Sequence, residues 1–451
     1  MTTAHQATAA RLDRLPVTRL HRYLIAVVGV ATFFDLYDLF LASAVSTVLA
    51  KEFGVSAGSL KPLLASAFLG AFLGAIALGR LADRIGRRRA FLVTLSIYSV
   101  FTLLGAFSTN VWMLVGCRFA AGLGIGGELP LADAYLADML PSHARGRATA
   151  WAYTIGFFGV PAAGFLAMGL VGRAPLGVAG WRWLFVVGAL GAAIVWLART
   201  RLPESPRWLS ARNRHDEAEE VLRRLESSAK TPLPELEAGH EHPADPRPER
   251  VGALLSVRWR RRTVMLSVFQ LLQTFGYYGF GSLVPIILAA KGFDLTHSLT
   301  YSALTFVGYP IGSALSIPVM ERLQRKWLIV GSAFLMAVFG LAFGYSANGA
   351  AIAVLGFCYT ATSNVFSNAF HTYQAELFPT SLRATASGSA YSLSRLATAA
   401  MPFILLPVLQ VHGATGLFTV VASAMGLLMV DIAVFGPRTT GESVEVIASR
   451  T

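Results

Sequence analysis

The chain has 451 residues, of which 54% are hydrophobic and only 14% are charged, and its formal net charge is +13. A soluble domain has about a quarter of its residues charged, so this composition excludes a soluble globular protein and indicates an integral membrane protein. The two cysteines, Cys117 and Cys358, both lie inside apolar segments. This excludes a disulfide framework and argues against a metal site.

Apolar segments long enough to cross a membrane follow one another along the chain. A helix of about 20 residues crosses the roughly 30 Å of hydrocarbon. The first segment is long and lacks a small-residue cleavage site, so it is predicted to be a span and not a signal peptide. Twelve spans are predicted, near residues 22–50, 60–80, 90–109, 111–138, 147–171, 181–200, 262–290, 298–320, 327–346, 350–376, 383–409 and 414–436.

The basic residues divide unequally between the two sides of this arrangement. Of the 38 Lys and Arg, 31 lie on one side and five on the other, while Arg118 and Arg395 lie inside spans. Basic loops stay in the cytoplasm. Both termini are therefore predicted to be cytoplasmic, in a multi-pass protein of the cell (inner) membrane.

The one long hydrophilic stretch separates the spans into two sets of six. In it, Ala218, Val221, Leu222 and Leu225 recur at helical spacing and predict an amphipathic helix against the membrane face. Residues 231–248 contain five prolines and predict a flexible linker. The predicted parts are an N-terminal segment (1–20), a six-helix bundle (21–200), a cytoplasmic loop (201–260), a second six-helix bundle (261–437) and a cytoplasmic tail (438–451).

The two sets of spans are copies of one unit. YLADMLPSHARGRATA at 135–150 is matched by YQAELFPTSLRATASG at 373–388, an offset of 238 residues. A duplicated membrane unit is typical of transporters whose halves rock around a central site. The same offset pairs Asp83-Arg84 with Glu321-Arg322, Arg87-Arg88 with Arg325-Lys326, Gly54 with Gly292, and Glu204-Ser205 with Glu442-Ser443.

Several motifs carry a resemblance to a known family. GRLADRIGRRR at 79–89, RFAAGLGIGG at 118–127 and PESPRWL at 203–209 together resemble the major facilitator superfamily. PESPRWL and ELFPTSLRATASG at 376–388 resemble its sugar-porter and organic-ion branch. FFDLYDLFLAS in the first span and FGYYGFGSLVP in the seventh resemble the bacterial metabolite:proton symporters of that branch. The resemblance covers residues 20–445 and implies an all-α integral membrane fold, with twelve transmembrane helices in two pseudo-symmetric six-helix bundles.

Carboxylates and bases recur together at the cytoplasmic ends of the spans, where they can form charge-assisted pairs. The resemblance implies that they form a cytoplasmic gate that latches the outward-open state. The alternative is that they are solvated determinants of topology, each worth little energy. The predicted gate residues are Asp83, Arg84, Arg87, Arg88, Asp138, Arg145, Arg147, Glu204, Glu321, Arg325, Glu376, Arg383 and Glu442.

Three ionisable residues inside the N-terminal spans are candidates for proton coupling. Such a residue costs about 2.5–3.5 kcal/mol on insertion scales and is a functional candidate by default. Asp35 and Asp38 lie at i and i+3 on one helical face. Asp38 matches the coupling aspartate of the sugar porters, whereas a capping or snorkelling role suits Asp35 better. Arg118 lies at a depth that allows it to pair with Asp38.

Other polar residues inside the spans are candidates for substrate binding. Glu128 can serve the substrate or the coupling. Asn364, Asn368 and His371 form a stripe at i, i+4 and i+7 that is expected to face a cavity, with helix–helix hydrogen bonding as the alternative. Gln270, Gln273 and Tyr277 resemble the sugar porters' glutamines and tyrosines, but the hexose spacing is absent.

Arg395 lies in the middle of the eleventh span, with no carboxylate at its depth in the second half of the sequence. A free guanidinium in a cavity is suited to binding a carboxylate in bidentate geometry. Arg395 is therefore a predicted substrate-binding residue, and pairing with the backbone is the alternative.

These observations predict a secondary transporter that takes up a small organic anion (a carboxylic, aromatic or sugar acid) with protons by alternating access. The predicted partners are that substrate, protons and lipid, without nucleic acid, and the predicted state is a monomer. G-x-x-x-x-G-K-[ST] is absent, so no nucleotide drives transport and no cofactor is expected. The alternatives are a drug or metabolite/proton antiporter of the same fold, suggested by a partial glycine-proline motif at residues 156–164, and a nutrient receptor that does not transport. No nucleophile–base arrangement indicates an enzyme.

The charge distribution predicts on which side each loop lies. Single cysteines replacing Ala57 and Ala229 should react with a membrane-impermeant maleimide from opposite faces of the membrane. Labelling of both from the same face would contradict the twelve-span arrangement.

Overall fold

The computed structural model describes residues 8, 10–55, 60–229, 232–234, 251–378 and 380–439. Within these residues the fold is helical, without a strand. Twelve long helices form two bundles of six. The first six are α1 (Arg19–Ala44), α2 (Leu60–Ile85), α3 (Arg87–Ala106), α4 (Val111–Met139), α5 (Ser142–Phe157, continued by Gly159–Leu170) and α6 (Gly180–Arg199). The second six are α7 (Arg260–Thr274, a π turn Phe275–Gly279, and Phe280–Ala290), α8 (Leu295–Phe306 and Gly308–Arg322), α9 (Arg325–Tyr345), α10 (Gly349–Glu376), α11 (380–412) and α12 (414–435).

The described helices account for every predicted span. Ten helical segments are long and apolar enough to cross a membrane, and one of them, Gly388–Phe435, contains both α11 and α12. These two meet at Gly413, where φ is 64°, and α4, with Arg118 and Glu128 inside it, completes the twelve. The first predicted span, 22–50, consists of two helices, because α1 ends at Ala44 and a short helix, Ser46–Glu52, follows.

The two bundles repeat the same contacts 238 residues apart. Arg87 lies 3.6 Å from a carboxylate oxygen of Asp138, and Arg325 lies 3.1 Å from one of Glu376. Gly54 and Gly292 turn the chain with φ of 60° and 87°, a conformation that glycine adopts without strain. The sequence repeat is thus a structural repeat.

The loop after α6 folds back onto the end of the N-terminal bundle. As predicted, a helix spans His215–Ser227, with Ala218, Leu222 and Leu225 buried. Its apolar face packs with Leu12 and Leu15 and with the end of α4. A shorter helix, Pro206–Ala211, precedes it. Most of the proposed linker at 231–248 lies outside the described residues.

Ion pairs hold the N-terminal segment on that helix. Arg11 donates from Nε to Oε1 of Glu226 over 3.0 Å and also pairs with Glu219. Arg14 donates to Glu226 over 2.7 Å. The paired arginines lie beside the buried Leu12 and Leu15. Ion pairing and burial of apolar surface therefore both stabilise the contact between this segment and the helix. Residues 10–15 are docked there.

This docking should depend on pH. Hydrogen bonds from Arg11 lower the pKa of Glu219 and of Glu226 below the usual glutamate value of 4.5. A group whose folded pKa is lowered contributes its stabilisation fully above its unfolded pKa, and loses it as the pH falls through the folded value. Residues 10–15 should therefore stay protected from hydrogen exchange at neutral pH and lose protection below pH 4.5.

Replacing Arg11 by alanine should reduce that protection at neutral pH. Arg224, which is exposed on the same helix, provides the matched control, since Arg224→Ala removes a similar charge without touching the N-terminal segment. Equal protection in the Arg11→Ala and wild-type proteins would show that the ion pairs do not hold the segment.

Candidate functional site

The cleft between the two bundles is closed at the end away from the basic loops. Ser43 at the end of α1 donates to the carbonyl oxygen of Ser282 in α7 over 2.6 Å. One turn earlier on α1, the ring of Phe40 packs against Phe306 and Tyr309 of α8, at centroid distances of 6.2 and 5.9 Å. These contacts join α1 to the second bundle across the mouth of the cleft.

Toward the basic loops the cleft is open. Asp133 of α4 and His371 of α10 are both exposed although they lie within long helices. The Tyr153 hydroxyl donates to both carboxylate oxygens of Asp133, at 3.0 and 3.1 Å. The ring of Tyr153 stacks on His371 at 6.5 Å. The described contacts between the halves at this level are this ring stacking and a 3.1 Å hydrogen bond between the hydroxyl groups of Thr154 and Ser313.

Asp38 and Arg118 form a buried ion pair inside the N-terminal bundle, the pairing that their depths allow. They are 0% and 1% exposed. Arg118 also donates to the Asp38 backbone oxygen over 2.7 Å, and Thr102 donates to the Asp38 carboxylate over 3.2 Å. Each charge is thus neutralised and hydrogen-bonded, as a buried charge requires.

Asp35 lies one turn from Asp38 and has no such partner. It is 1% exposed, and neither of its carboxyl oxygens makes a hydrogen bond. The charged side chains that act on it are Glu128, Arg199 and Asp38. Asp35 is a predicted coupling residue, with capping or snorkelling as the alternative, and the structure buries it in the bundle, away from any helix end.

Glu128 does not face the cleft, contrary to its predicted role in substrate binding. It pairs with Arg199 of α6, and Thr94 of α3 donates to its Oε2 over 2.7 Å. Arg199 is fully buried, with its guanidinium 3.9 Å from the centroid of the Phe91 ring. Arg199 is one of the 31 basic residues that the charge distribution places on the cytoplasmic side. Its position at the last turn of an apolar helix is the signal that could have revealed it.

In the second bundle a small pocket faces the cleft. It is lined by Gln270, Gln273 and Tyr277, which are predicted substrate-binding residues, and by residues that the sequence did not single out for the site, including Tyr391 and Ser394. Gln270 donates to Gln374 over 2.8 Å, and Gln273 donates to Ser394 over 2.8 Å. The π turn in α7 carries Tyr277 and Tyr278, and such turns are frequent at functional sites.

The polar stripe of α10 divides between two roles. His371 lines the pocket. Asn364, however, accepts from the Tyr277 hydroxyl over 3.0 Å and donates to the backbone of Tyr309 over 2.6 Å. Asn368 donates to Ser316 over 2.7 Å. The amides of Asn364 and Asn368 thus join helices, which is the alternative to their predicted contact with substrate.

Arg395 lies beside this pocket and is 3% exposed. Its guanidinium carbon is 4.8 Å from the centroid of Tyr278 and 4.4 Å from that of Tyr391, whose hydroxyl it also contacts. Its Nε and Nη1 make no hydrogen bond. The described partners of this cation are the rings and hydroxyl groups of Tyr278 and Tyr391, and no described carboxylate neutralises its charge.

The predicted gate residues form contacts within each half. Glu204 accepts from the backbone N–H groups of Arg87 and Arg88, at 2.8 and 3.2 Å, at the start of α3. Gly86 allows this approach, because a Cβ there would lie 2.3 Å from Glu204. Arg88 bonds the Thr200 carbonyl. A carboxylate at a helix N-terminus is stabilised by the orphan N–H groups and the helix dipole.

The ion pairs Arg87–Asp138 and Arg325–Glu376 also lie within one half, because each joins helices of a single bundle. Arg145 is half-buried, and Arg84 and Arg147 are exposed. These described pairs therefore do not form the expected latch between the halves. The latch is expected in the outward-open state, whereas the cleft in this structure is open at this end. The side chains of Asp83, Glu321 and Arg383, and the whole of Glu442, lie outside the described residues.

Two pseudo-symmetric bundles around a polar cleft, closed at one end and open at the other, define a secondary membrane transporter. The chain belongs to the sugar (and other) transporter family, whose model matches residues 23–450. It is accordingly a multi-pass membrane protein of the major facilitator superfamily that transports small organic molecules, and it is not an enzyme.

Individual relatives agree with this assignment. The chain is 36% identical over 390 residues to the putative metabolite transport protein YyaJ of Bacillus subtilis, covering 86% of each protein. It is 30% identical over 444 residues to the niacin transporter NiaP of Acinetobacter baylyi, covering 97% of this chain and 99% of that one. Its fold matches a partially occluded inward-open conformation of the xylose transporter XylE from E. coli, with a TM-score of 0.76 at 21% identity, over 94% and 99% of the two chains.

Proposed function

We propose that the protein takes up a small aromatic carboxylic acid together with protons. The observation that carries the proposal is Arg395, a buried guanidinium with two nitrogens that lack partners, beside the pocket of the second bundle. A buried cation is costly unless it is paired. A substrate carboxylate would supply the missing charge, and the planar guanidinium matches it with two parallel hydrogen bonds.

The walls of the pocket favour an aromatic substrate among the organic anions. Tyr277, Tyr278, Phe366, Phe370 and Tyr391 line it. Flat rings pack in offset or edge-to-face arrangements that add to the burial of apolar surface. NiaP, 30% identical to this chain, is named a niacin transporter, and niacin is a pyridine carboxylic acid. Gln270 and Gln273 would bind a ring nitrogen or a ring hydroxyl.

Proton coupling in this proposal rests on the Asp38–Arg118 pair. Protonation of Asp38 would remove one charge from the pair and release Arg118, so the contacts of α1 differ between the two protonation states. Because the basic end is proposed to be cytoplasmic, the cleft described here opens to the cytoplasm. Uptake would then end by releasing the acid and the proton on that side.

Export is less well supported. The partial glycine-proline motif that suggested an antiporter is accounted for by packing of α5. A Cβ at Gly156 would lie 2.5 Å from Thr32, and one at Gly159 would lie 2.0 Å from the Phe33 carbonyl oxygen. These glycines allow α5 to approach α1 closely, a role independent of transport direction.

The proposed substrate class predicts a specific charge selectivity. Arg395→Ala should weaken benzoate binding far more than benzamide binding, because only the acid can pair with the guanidinium. Losing charge-assisted hydrogen bonds costs about 1.5–3 kcal/mol, or roughly tenfold to more than a hundredfold in affinity. Arg395→Lys should have an intermediate effect, since an ammonium lacks the planar fork. Calorimetric titration of the purified protein with both ligands measures this.

Arg182→Ala provides the control. Arg182 also covers an aromatic ring, at 4.5 Å from the Trp181 centroid, and bonds the Ala106 carbonyl outside the pocket. If Arg395→Ala leaves the preference for acid over amide intact, Arg395 is structural and the proposed substrate class loses its main support.

The second prediction concerns coupling. For one proton per monovalent anion, a pH difference of one unit supports about tenfold accumulation. Asp38→Asn should abolish this accumulation in proteoliposomes, while exchange of internal for external substrate continues because it needs no net proton movement. The double variant Asp38→Asn/Arg118→Gln, which leaves no uncompensated charge, should fold and show the same loss. Tenfold accumulation by either variant would remove this pair from coupling.

A further inference from the structure

A set of buried polar side chains lies inside the N-terminal bundle. Thr94, Tyr98 and Thr102 follow one another at intervals of four on α3 and so lie on one face. Thr94 bonds Glu128, Thr102 bonds Asp38, and the Tyr98 hydroxyl between them bonds the backbone oxygen of Phe34 over 2.9 Å. Eight residues of helix make this face about 12 Å long. We name this set, with the charged groups that it contacts, the polar column.

The column has an ion pair at each end and an unpaired acid between them. Asp38–Arg118 lies at the end away from the basic loops, and Glu128–Arg199 lies at the end toward them. Asp35 lies between the two pairs, one turn from Asp38, with both carboxyl oxygens buried and without a donor. The groups that face Asp35 are Asp38 on its own helix, Tyr98 of α3, Glu128 of α4 and Arg199 of α6.

The column is separate from the pocket beside Arg395. Its members belong to α1, α3, α4 and α6, whereas the pocket is lined by residues of the second bundle. The neighbouring face of α1 is covered by α5 at Gly156 and Gly159. The column ends at Arg199, next to Thr200, whose carbonyl oxygen accepts from Arg88 at the basic end.

We propose that Asp35 is the proton-carrying group of the transporter and that the polar column, not the substrate cleft, is the route by which the proton reaches the basic end. This inference rests on the proposed function and adds the path of the coupled ion. Asp35 suits the role because Arg118 is paired with Asp38 and Arg199 with Glu128, which leaves this acid without a counterion of its own. Because a buried charge without a partner is costly, we place the proton on Asp35 in this state.

The proton enters the column at Asp38, is transferred twice inside it and leaves from Glu128. Asp38 takes a proton from the side opposite the basic loops and thereby releases Arg118. It passes the proton to Asp35 and reforms its ion pair. Asp35 passes it to Glu128, which releases Arg199 and then loses the proton to water at the basic end. Because the Asp35 oxygens make no hydrogen bond in this state, its side chain must turn toward Asp38 to take the proton and toward Glu128 to give it up. Each carboxyl group returns to its starting state, and water at the basic end accepts the proton.

The test is acid-dependent proton movement in proteoliposomes, recorded with an internal pH dye and benzoate as the probe. Asp35→Asn should fold, because an amide has nearly the shape of the neutral acid that it replaces. It should lose the tenfold accumulation that one pH unit supports and should keep benzoate exchange. Its exchange rate should also become independent of pH, which a merely structural change would not produce.

Thr94→Val, which removes a hydrogen bond from Glu128 without removing a charge, should slow proton movement and leave benzoate affinity unchanged. Asp431→Asn is the matched control. Asp431 is a largely buried acid of α12 with one unpartnered oxygen, outside the column, and its replacement should leave coupling at the wild-type level.

Wild-type accumulation and proton movement by Asp35→Asn would overturn the inference while leaving the proposed function intact. The inference would also be overturned if Asp133→Asn lost coupling and Asp35→Asn retained it, because the proton would then pass through the cleft. Wild-type protein that neither binds benzoate nor moves protons with it would contradict the proposed function and this inference together.

Discussion

The buried pair of Asp38 and Arg118 is the interaction on which the organisation of the N-terminal bundle depends. No water is present in the hydrocarbon core to solvate either charge, and removing one partner of a buried pair typically costs about 3–5 kcal/mol. The pair therefore fixes α4 against α1, and Thr102 of α3 completes the hydrogen bonds of the carboxylate. The second ion pair, Glu128–Arg199, joins α4 to α6 in the same way. The two ion pairs and the hydrogen bonds from Thr94 and Thr102 thus tie four of the six helices of this bundle together.

The two bundles share a fold but differ in how they satisfy their buried charges. The N-terminal bundle neutralises Arg118 and Arg199 with carboxylates of its own. In the described part of the second bundle Arg395 contacts tyrosines and keeps two nitrogens unpaired. Duplication gave both halves the same arrangement of six helices, and the polar side chains inside the two bundles diverged. A bundle that satisfies its own charges is suited to carry a proton, and one with an unsatisfied cation is suited to bind an anion.

Sequence reasoning predicted the twelve helices, the repeat and the helix at His215–Ser227, because hydrophobic length and period decide these. It also found Asp38 with Arg118, since both lie deep within their spans. It missed the Glu128–Arg199 pair, because Arg199 lies at a span end, where a shift of a few residues separates membrane from loop. It could not decide whether Asn364 and Asn368 face a cavity or a neighbouring helix, since one polar stripe satisfies both. The gate pairs depend on the conformational state, which a single sequence does not specify.

If protons and substrate take separate routes, the two sites must be joined by packed contacts that have more than one arrangement. Such contacts run from α1 to the pocket. Phe40, two residues after Asp38, packs on Tyr309 of α8. The Tyr309 backbone oxygen accepts from Asn364, which in turn accepts from the Tyr277 hydroxyl at the pocket wall. Gly281 lies against both Phe40 and Tyr309, where a Cβ would come within 2.6 Å of one and 2.5 Å of the other, so α1, α7 and α8 cannot move independently at this point. If protonation of Asp38 shifts α1, the shift would be taken up at the wall of the pocket, and Asn364 would then act in coupling without touching the substrate.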